Sequence, residues 1–211
     1  MKKICLIPLC MCLLFNSNIF ADGKTRGEFP LQVQLLSGNV GAGPSIGYNL
    51  NDTIYIGGDI LSRSDTASES TAAATGTFST NLISARFSTW DDSGFYLQVG
   101  AGNVDWSVKA TGYEYIGNWP NGTSSSDATV EIKWSGPASM IGLGWNWIGD
   151  SGFSGGLGFQ SIGVGEPEIN VTDNEGQATA TQIAEEKENY NSLYSSYQSA
   201  LNIYTNIGWN F

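Results

Sequence analysis

"LNIYTNIGWNF", residues 201–211, ends the chain in strict alternation. Leu201, Ile203, Thr205, Ile207, Trp209 and Phe211 take every second position, and Asn202, Tyr204, Asn206, Gly208 and Asn210 fill the gaps. A period of two marks a β-strand with two unlike faces. Here the apolar face continues to the last residue, and a contiguous apolar surface of this kind is a poor fit to water. The reading that resolves the conflict is a strand solvated by lipid.

The start of the chain agrees. Lys2 and Lys3 precede a mostly apolar run, Ile4 to Phe15, and "NSNIFA" closes at Ala21. This pattern predicts a secretory signal peptide over 1–21, too short to span a bilayer, and a single mature domain over 22–211. Cys5, Cys10 and Cys12 all fall inside that signal, so neither disulfides nor thiol chemistry is expected in the mature protein. Leu9 and Met11, bulky where a lipidation signal needs a small residue, argue against acylation of Cys10 or Cys12. Loss of Lys2 and Lys3 leaves 7 basic against 20 acidic residues, a net charge of −13. Such a charge argues against nucleic acid as a partner. No later segment approaches the roughly 20 apolar residues of a membrane helix, and the remaining way to embed a chain in lipid is a closed barrel with every backbone amide paired.

Alternation recurs along the chain. In residues 40–50 Val40, Ala42, Ile46, Tyr48 and Leu50 oppose Gly41, Gly43, Ser45, Gly47 and Asn49, and "NDT" turns into Ile54, Ile56 and Ile60 opposite Tyr55, Gly57 and Asp59. Further strands are predicted near 77–89, 95–102, 130–148 and 152–164. Within 130–148 the apolar phase reverses at "GP", 136–137, which predicts a β-bulge. With "LQVQLL" at 31–36 as the first strand and 201–211 as the last, the count is eight, and "SGN" at 37–39 is either a tight turn or a bulge. The fold class expected is therefore all-β, an antiparallel up-and-down transmembrane barrel.

Connections alternate between tight ("NDT", "WDDSG", "GDSG") and long (64–76, 105–129, 165–200), as in outer-membrane barrels with short periplasmic turns and long external loops. Aromatics collect near the tight turns: Tyr48, Tyr55, Trp90, Phe95, Tyr96, Trp145, Trp147, Phe153, Trp209 and Phe211. They predict an interfacial girdle, with Tyr48, Tyr55, Trp90, Trp145 and Trp147 as its clearest members. A second set, Trp106, Tyr113, Tyr115, Trp119 and Trp134, lies near a long connection. In 180–201, Ile183, Tyr190, Tyr194, Tyr197 and Leu201 recur at helical intervals around "EEKE", predicting a helix just before the last strand. It would cap the barrel mouth, or else meet a partner or the membrane surface.

These residues resemble the small outer-membrane β-barrel proteins of Gram-negative bacteria, in the broad OmpA/OmpW-like class. The resemblance rests on three features: terminal Phe211 with Trp209, Ile207 and Ile203 at alternate positions, the "GAGPSIGYNLND" opening, and the acidic helix before the last strand, as in one subgroup. It implies that Ile203, Ile207, Trp209 and Phe211 form the signal read by the barrel-assembly machinery. It also implies a monomer in the outer membrane, in contact with lipid and lipopolysaccharide. Deleting Phe211 is then expected to impair membrane assembly.

The mature chain contains no histidine. Ser-His acyl transfer needs a base that titrates near neutrality, and no other side chain does so unperturbed. Outer-membrane phospholipases, lipid A deacylases, palmitoyl transferases and omptin-type proteases rely on histidine as families, so no enzymatic activity and no catalytic residue is expected. "GNVGAG" and "GLGWNW" lie within strands and lack the lysine and helix of a phosphate loop, while "DDSG" and "GDSG" have the composition of tight turns rather than calcium-loop spacing. No cofactor or metal is expected.

The inward positions are polar or tiny: Asp59, Arg86, Gln98 and Gln160, with Gly43, Gly47, Gly100, Gly102, Gly142, Gly144, Gly156 and Gly158. The glycines suit either a narrow wet path or the curvature of a small barrel. Asp59 and Arg86, on consecutive strands, are expected to pair inside. A structural or surface-interaction role leads. A narrow channel for ions or small solutes, some of them hydrophobic, and an adhesin or ligand binder acting through the external loops stand as alternatives.

Overall fold

A computed structural model describes residues 26, 28–68, 73–88, 94–114, 127–176 and 178–211. The signal segment, Trp90, Tyr115, Trp119 and most of "WDDSG" lie outside these residues, as does the side chain of Tyr113.

The strands are β1 Leu31–Gly38, β2 Gly41–Asn49, β3 Ile54–Ser68, β4 Ala73–Ser88, β5 Phe95–Glu114, β6 Asp127–Ile148, β7 Phe153–Gly163, β8 Glu168–Asp173 and β9 Ser199–Asn210, with helix α1 Ala180–Tyr194 before the last. Each of β1 to β6 pairs antiparallel with the next, β7 pairs with β9, and β9 returns to β1. The result is a closed barrel of eight strands. Backbone bonds between Leu31 and Phe211 in both directions, at 3.0 and 2.7 Å, fasten the closing seam at one end. Closure leaves no edge within this ring of eight; β8, outside it, pairs on one side only, with β6.

Local chemistry places the turns. Asn51 Oδ1 accepts from the amides of Thr53 and Ile54 at 2.9 and 2.8 Å, so the "NDT" turn is held by its own side chain. "SGN" belongs to a tight turn, with Gly38 opposite Gly41. The Asn39 side chain there crosses the seam, accepting from Ile203 N and donating to Leu201 O.

The strands are longer than the alternation suggested. Strand β5 has 20 residues and β6 has 22, against the 9–11 that cross a bilayer. Much of what read as the long connections 64–76 and 105–129 is therefore strand, because β3 runs to Ser68 and β4 starts at Ala73. The connection 165–200 also carries structure: β8 pairs with Ala128–Lys133 of β6, continuing the ladder where β7 leaves it. A capping box between Thr179 and Gln182 starts α1, which packs against β8.

The bulge expected at 136–137 is absent. Pro137 and Gly136 face Asn103 and Val104 in unbroken register, and the β5–β6 irregularity lies between Thr111 and Tyr113. The polarity changes, not the register. Near the short turns the outward residues of β6 are Trp145, Leu143 and Ile141, exposed and apolar, while Asn146, Gly144 and Gly142 face inward. Further along, the outward residues are Ser139 and Ser135, and Met140, Ala138, Ile132 and Val130 are buried inside. Strand β5 inverts the same way, from Leu97 and Val99 outside to Val104 and Trp106 inside. The barrel thus has an apolar belt over a polar lumen at the short-turn end, and a polar exterior over an apolar core beyond it.

The belt comprises Leu31, Val33, Leu35, Ile46, Tyr48, Ile56, Ile60, Ile83, Phe87, Leu97, Val99, Ile141, Leu143, Trp145, Ile203, Ile207 and Trp209, all well exposed. A continuous apolar surface around a barrel is stable in hydrocarbon and not in water. Trp145 and Trp209 meet Phe95 and Phe153 edge-on at 5.0 Å, as expected of a girdle. Tyr55, expected in that girdle, is instead inside the lumen and 5% exposed. Its neighbours Ile54 and Ile56 hold the outward positions, so strand alternation turns it inward. Trp106 and Trp134 likewise face the interior, Trp134 only partly buried.

Candidate functional site: the lumen and its two closures

Three tyrosines lie in the polar half of the lumen: Tyr55, Tyr96 and Tyr204, each at most 5% exposed. Each lies where glycine leaves room. Tyr96 faces Gly144 and Tyr204 faces Gly158 across the ladder, and a Cβ on either glycine would overlap the opposing side chain. Cβ atoms on Gly47 or Gly57 would likewise enter the Tyr55 ring. These inward glycines therefore seat aromatic rings rather than line an open path.

Hydrogen bonds link the rings. Tyr204 donates to Gln98 Oε1 at 3.0 Å, so the 2.7 Å contact between the two phenols uses the Tyr96 proton. Gln98 Nε2 donates to Ser84 Oγ at 2.9 Å. Nearby, Gln34 Nε2 reaches Asn146, Ser154 and Asn206 at 3.3, 3.1 and 3.4 Å, and Gln32 donates to Asn210 at 2.8 Å. A Tyr204→Phe variant removes one hydroxyl but strands Tyr96 and Gln98 in a buried layer. It is expected to lower the unfolding free energy by about 1–3 kcal/mol in equilibrium denaturation.

All four sequence-derived interior candidates are buried, but they do not form one group. Gln98 belongs to the tyrosine network. Arg86 donates from Nη1 to Gln32 Oε1 at 3.4 Å, and its guanidinium carbon is 4.6 Å from the Tyr55 ring centre and 5.2 Å from that of Tyr96. Both are cation–π distances. Asp59 and Gln160 have no hydrogen-bond partner for their side-chain polar atoms among the described residues. The expected Asp59–Arg86 ion pair is not formed: Arg86 faces Tyr55, while Asp59 stands four residues further along β3, opposite Leu82.

Above this layer the lumen is apolar. Leu36, Val40, Leu61, Leu82, Val104, Trp106, Ala138, Met140 and Ile162 form one buried cluster with Tyr204 beneath them. Trp106 Nε1 donates to Thr80 Oγ1 at 2.9 Å, which satisfies its polar atom. Trp134 connects this cluster to a second, Val130, Ile132 and Ile169, on which Tyr190 and Tyr194 of α1 pack. The helix thus covers the inner face of the β6–β8 extension, the cap position. Its stacked rings Tyr190 and Tyr194 are 6.3 Å apart, and Tyr194 and Tyr197 are 5.7 Å apart. Tyr197 and Leu193 remain exposed.

The short-turn end is narrowed by Arg26, which is buried and donates to Ser88 Oγ and, at 3.4 Å, to Asp52 O. Burial lowers its guanidinium pKa and the Asp52 carboxylate raises it. A cavity of about 20 Å³ lies between Arg26 and Arg86. No group of three or more potential metal ligands occurs among the described residues.

No protein-family profile matches the chain, and no curated protein matches its sequence. Solved structures do. CarO of Acinetobacter baumannii superposes with a TM-score of 0.58 at 13% identity, over 88% of this chain and 99% of that one. CarO2 of A. baumannii gives 0.60 at 11% identity, over 87% and 99%. At such identities the likeness is one of fold: this chain has an outer-membrane β-barrel fold.

Proposed function

We propose that the protein is a resident of the Gram-negative outer membrane and a sealed, non-enzymatic barrel, whose role is structural or surface-interacting and whose working surface is the long-connection end. The short turns lie on the periplasmic side, and the β5–β6–β8 extension with α1 stands on the cell surface. The single observation that carries this reading is the closed lumen. An apolar layer from Leu36 to Ile162 spans the barrel above the tyrosines and continues through Trp134 beneath the helix. Water and ions cross an apolar constriction of this kind poorly.

The same observation weighs against a conduit. A ligand-binding role for the external face draws support from the ring cluster Tyr190, Tyr194 and Tyr197, which with Leu193 leaves apolar surface on an otherwise polar cap. The terminal residues Ile203, Ile207, Trp209 and Phe211 retain their reading as an assembly signal, and with it the resemblance to the OmpA/OmpW-like subgroup carrying an acidic helix. The barrel would meet lipid and lipopolysaccharide through its belt, as a monomer.

The test is single-channel recording from refolded protein whose barrel is verified by heat-modifiable gel migration. Silence is expected. Reproducible conductance steps, altered by substituting Arg86, would overturn the sealed reading and put the function inside the barrel.

A further inference from the structure

The periplasmic-side cavity holds an arrangement that the sealed-barrel reading does not use. Its lining includes Arg26, Arg86, Gln32, Asn49, Tyr55 and Tyr96. At about 20 Å³ it has room for one particle of water size.

Arg86 is 4% exposed, and its Nε and Nη2 have no hydrogen-bond partner among the described residues. Its guanidinium carbon lies over the rings of Tyr55 and Tyr96, whose π-systems stabilise positive charge without supplying an oxygen acceptor. A buried cation with free donors is costly until an acceptor reaches it. Asp59, the one buried carboxylate among the described residues, is opposite Leu82 and makes no ion pair with Arg86. Arg26 adds a second guanidinium at the cavity floor, where the nearby carboxylate belongs to solvent-exposed Asp52.

We propose that this cavity is a binding site for a small monovalent anion of halide size, accepting from Arg86 Nε and Nη2 and entering from the periplasmic side. The cavity's inner space matches a single small ion, and the rings above exclude onward passage. The anion is thus a resident ligand that completes the base of the barrel. This assignment is independent of what the external face binds.

The experiment is thermal unfolding of the refolded protein in neutral detergent, with sodium bromide replacing sodium gluconate at constant ionic strength. The wild-type midpoint is expected to rise with bromide as for any ligand that binds only the folded state. Arg86→Lys keeps the charge but loses the forked donors, and is expected to raise the half-saturating concentration at least about tenfold. A wild-type midpoint indifferent to bromide, or an Arg86→Lys curve that superposes on the wild type, would overturn the proposal. Anomalous scattering from bromide-soaked crystals gives a second readout. A peak beside Arg86 is expected, whereas peaks confined to the outer surface would mark an adventitious ion only and sink the assignment.

Discussion

Truncating Trp106 to alanine is expected to lower the unfolding free energy by about 3–5 kcal/mol, the range for a large aromatic removed from a packed core. The same change at Trp145 is expected to cost about 1 kcal/mol in detergent. Both are tryptophans on long neighbouring strands, and the difference lies in which face each occupies. Trp106 is 5% exposed, close to Phe78 at a ring separation of 6.2 Å and bonded to Thr80, so its loss opens a cavity and strands a hydroxyl. Trp145 is 46% exposed on the belt, and its main partner is the edge of Phe95. Detergent fills the space its side chain leaves. Urea denaturation in one detergent compares the two directly. Equal losses would contradict the inversion of polarity along the barrel, and with it the apolar seal on which the proposed function rests.

That inversion also explains where the sequence misleads. Alternation identifies a strand only while its faces differ, and near the short turns they differ strongly: Ile46, Leu97 and Ile203 outside against Ser45, Gln98 and Asn202 inside. The barrel, its closing strand and the eight-strand count are legible there. Further along, the outward residues of β5 include Asn103, Asp105 and Ser107, and the contrast fades before the strand ends. The extensions therefore read as polar loops. On β6 apolar residues change sides without any change in register, so Val130, Ile132 and Trp134 imitate a bulge. Tyr55 misleads for another reason. Proximity to a turn is visible in the sequence, but the face follows from the phase of Ile54 and Ile56. The Asp59–Arg86 pair fails because height above a turn does not fix register, and the residue opposite Arg86 is Tyr55. The tyrosine–glycine pairs were accessible in principle, because Tyr96, Gly144, Tyr204 and Gly158 all have inward phase. What the sequence lacked was register: the up-and-down order pairs 152–164 with 201–211, but not which residues oppose, and it is the register of β7 on β9 that brings Gly158 opposite Tyr204.

Gly158→Val tests the role of those glycines. If they serve only to let a small barrel curve, a β-branched residue in a strand should be tolerated or even favoured. If Gly158 seats Tyr204, the new side chain displaces the ring and breaks its bonds to Tyr96 and Gln98. The expected loss is about 1–3 kcal/mol from overpacking, with further loss if the hydrogen bonds are not remade. Tyr204→Ala alone is expected to lose about 3–5 kcal/mol by leaving a cavity. The double variant carries the diagnosis, because valine then fills part of the space the ring vacates. It is expected to be no less stable than Tyr204→Ala, an interaction of about 1 kcal/mol or more between cross-strand neighbours. Gly58→Ala provides the control: this residue is in the same sheet, but its added Cβ would have an ordinary 3.6 Å contact with Leu82 O. Strict additivity of Gly158→Val and Tyr204→Ala would mean that the ring does not depend on the glycine, and the inward glycines would return to being candidates for an open path.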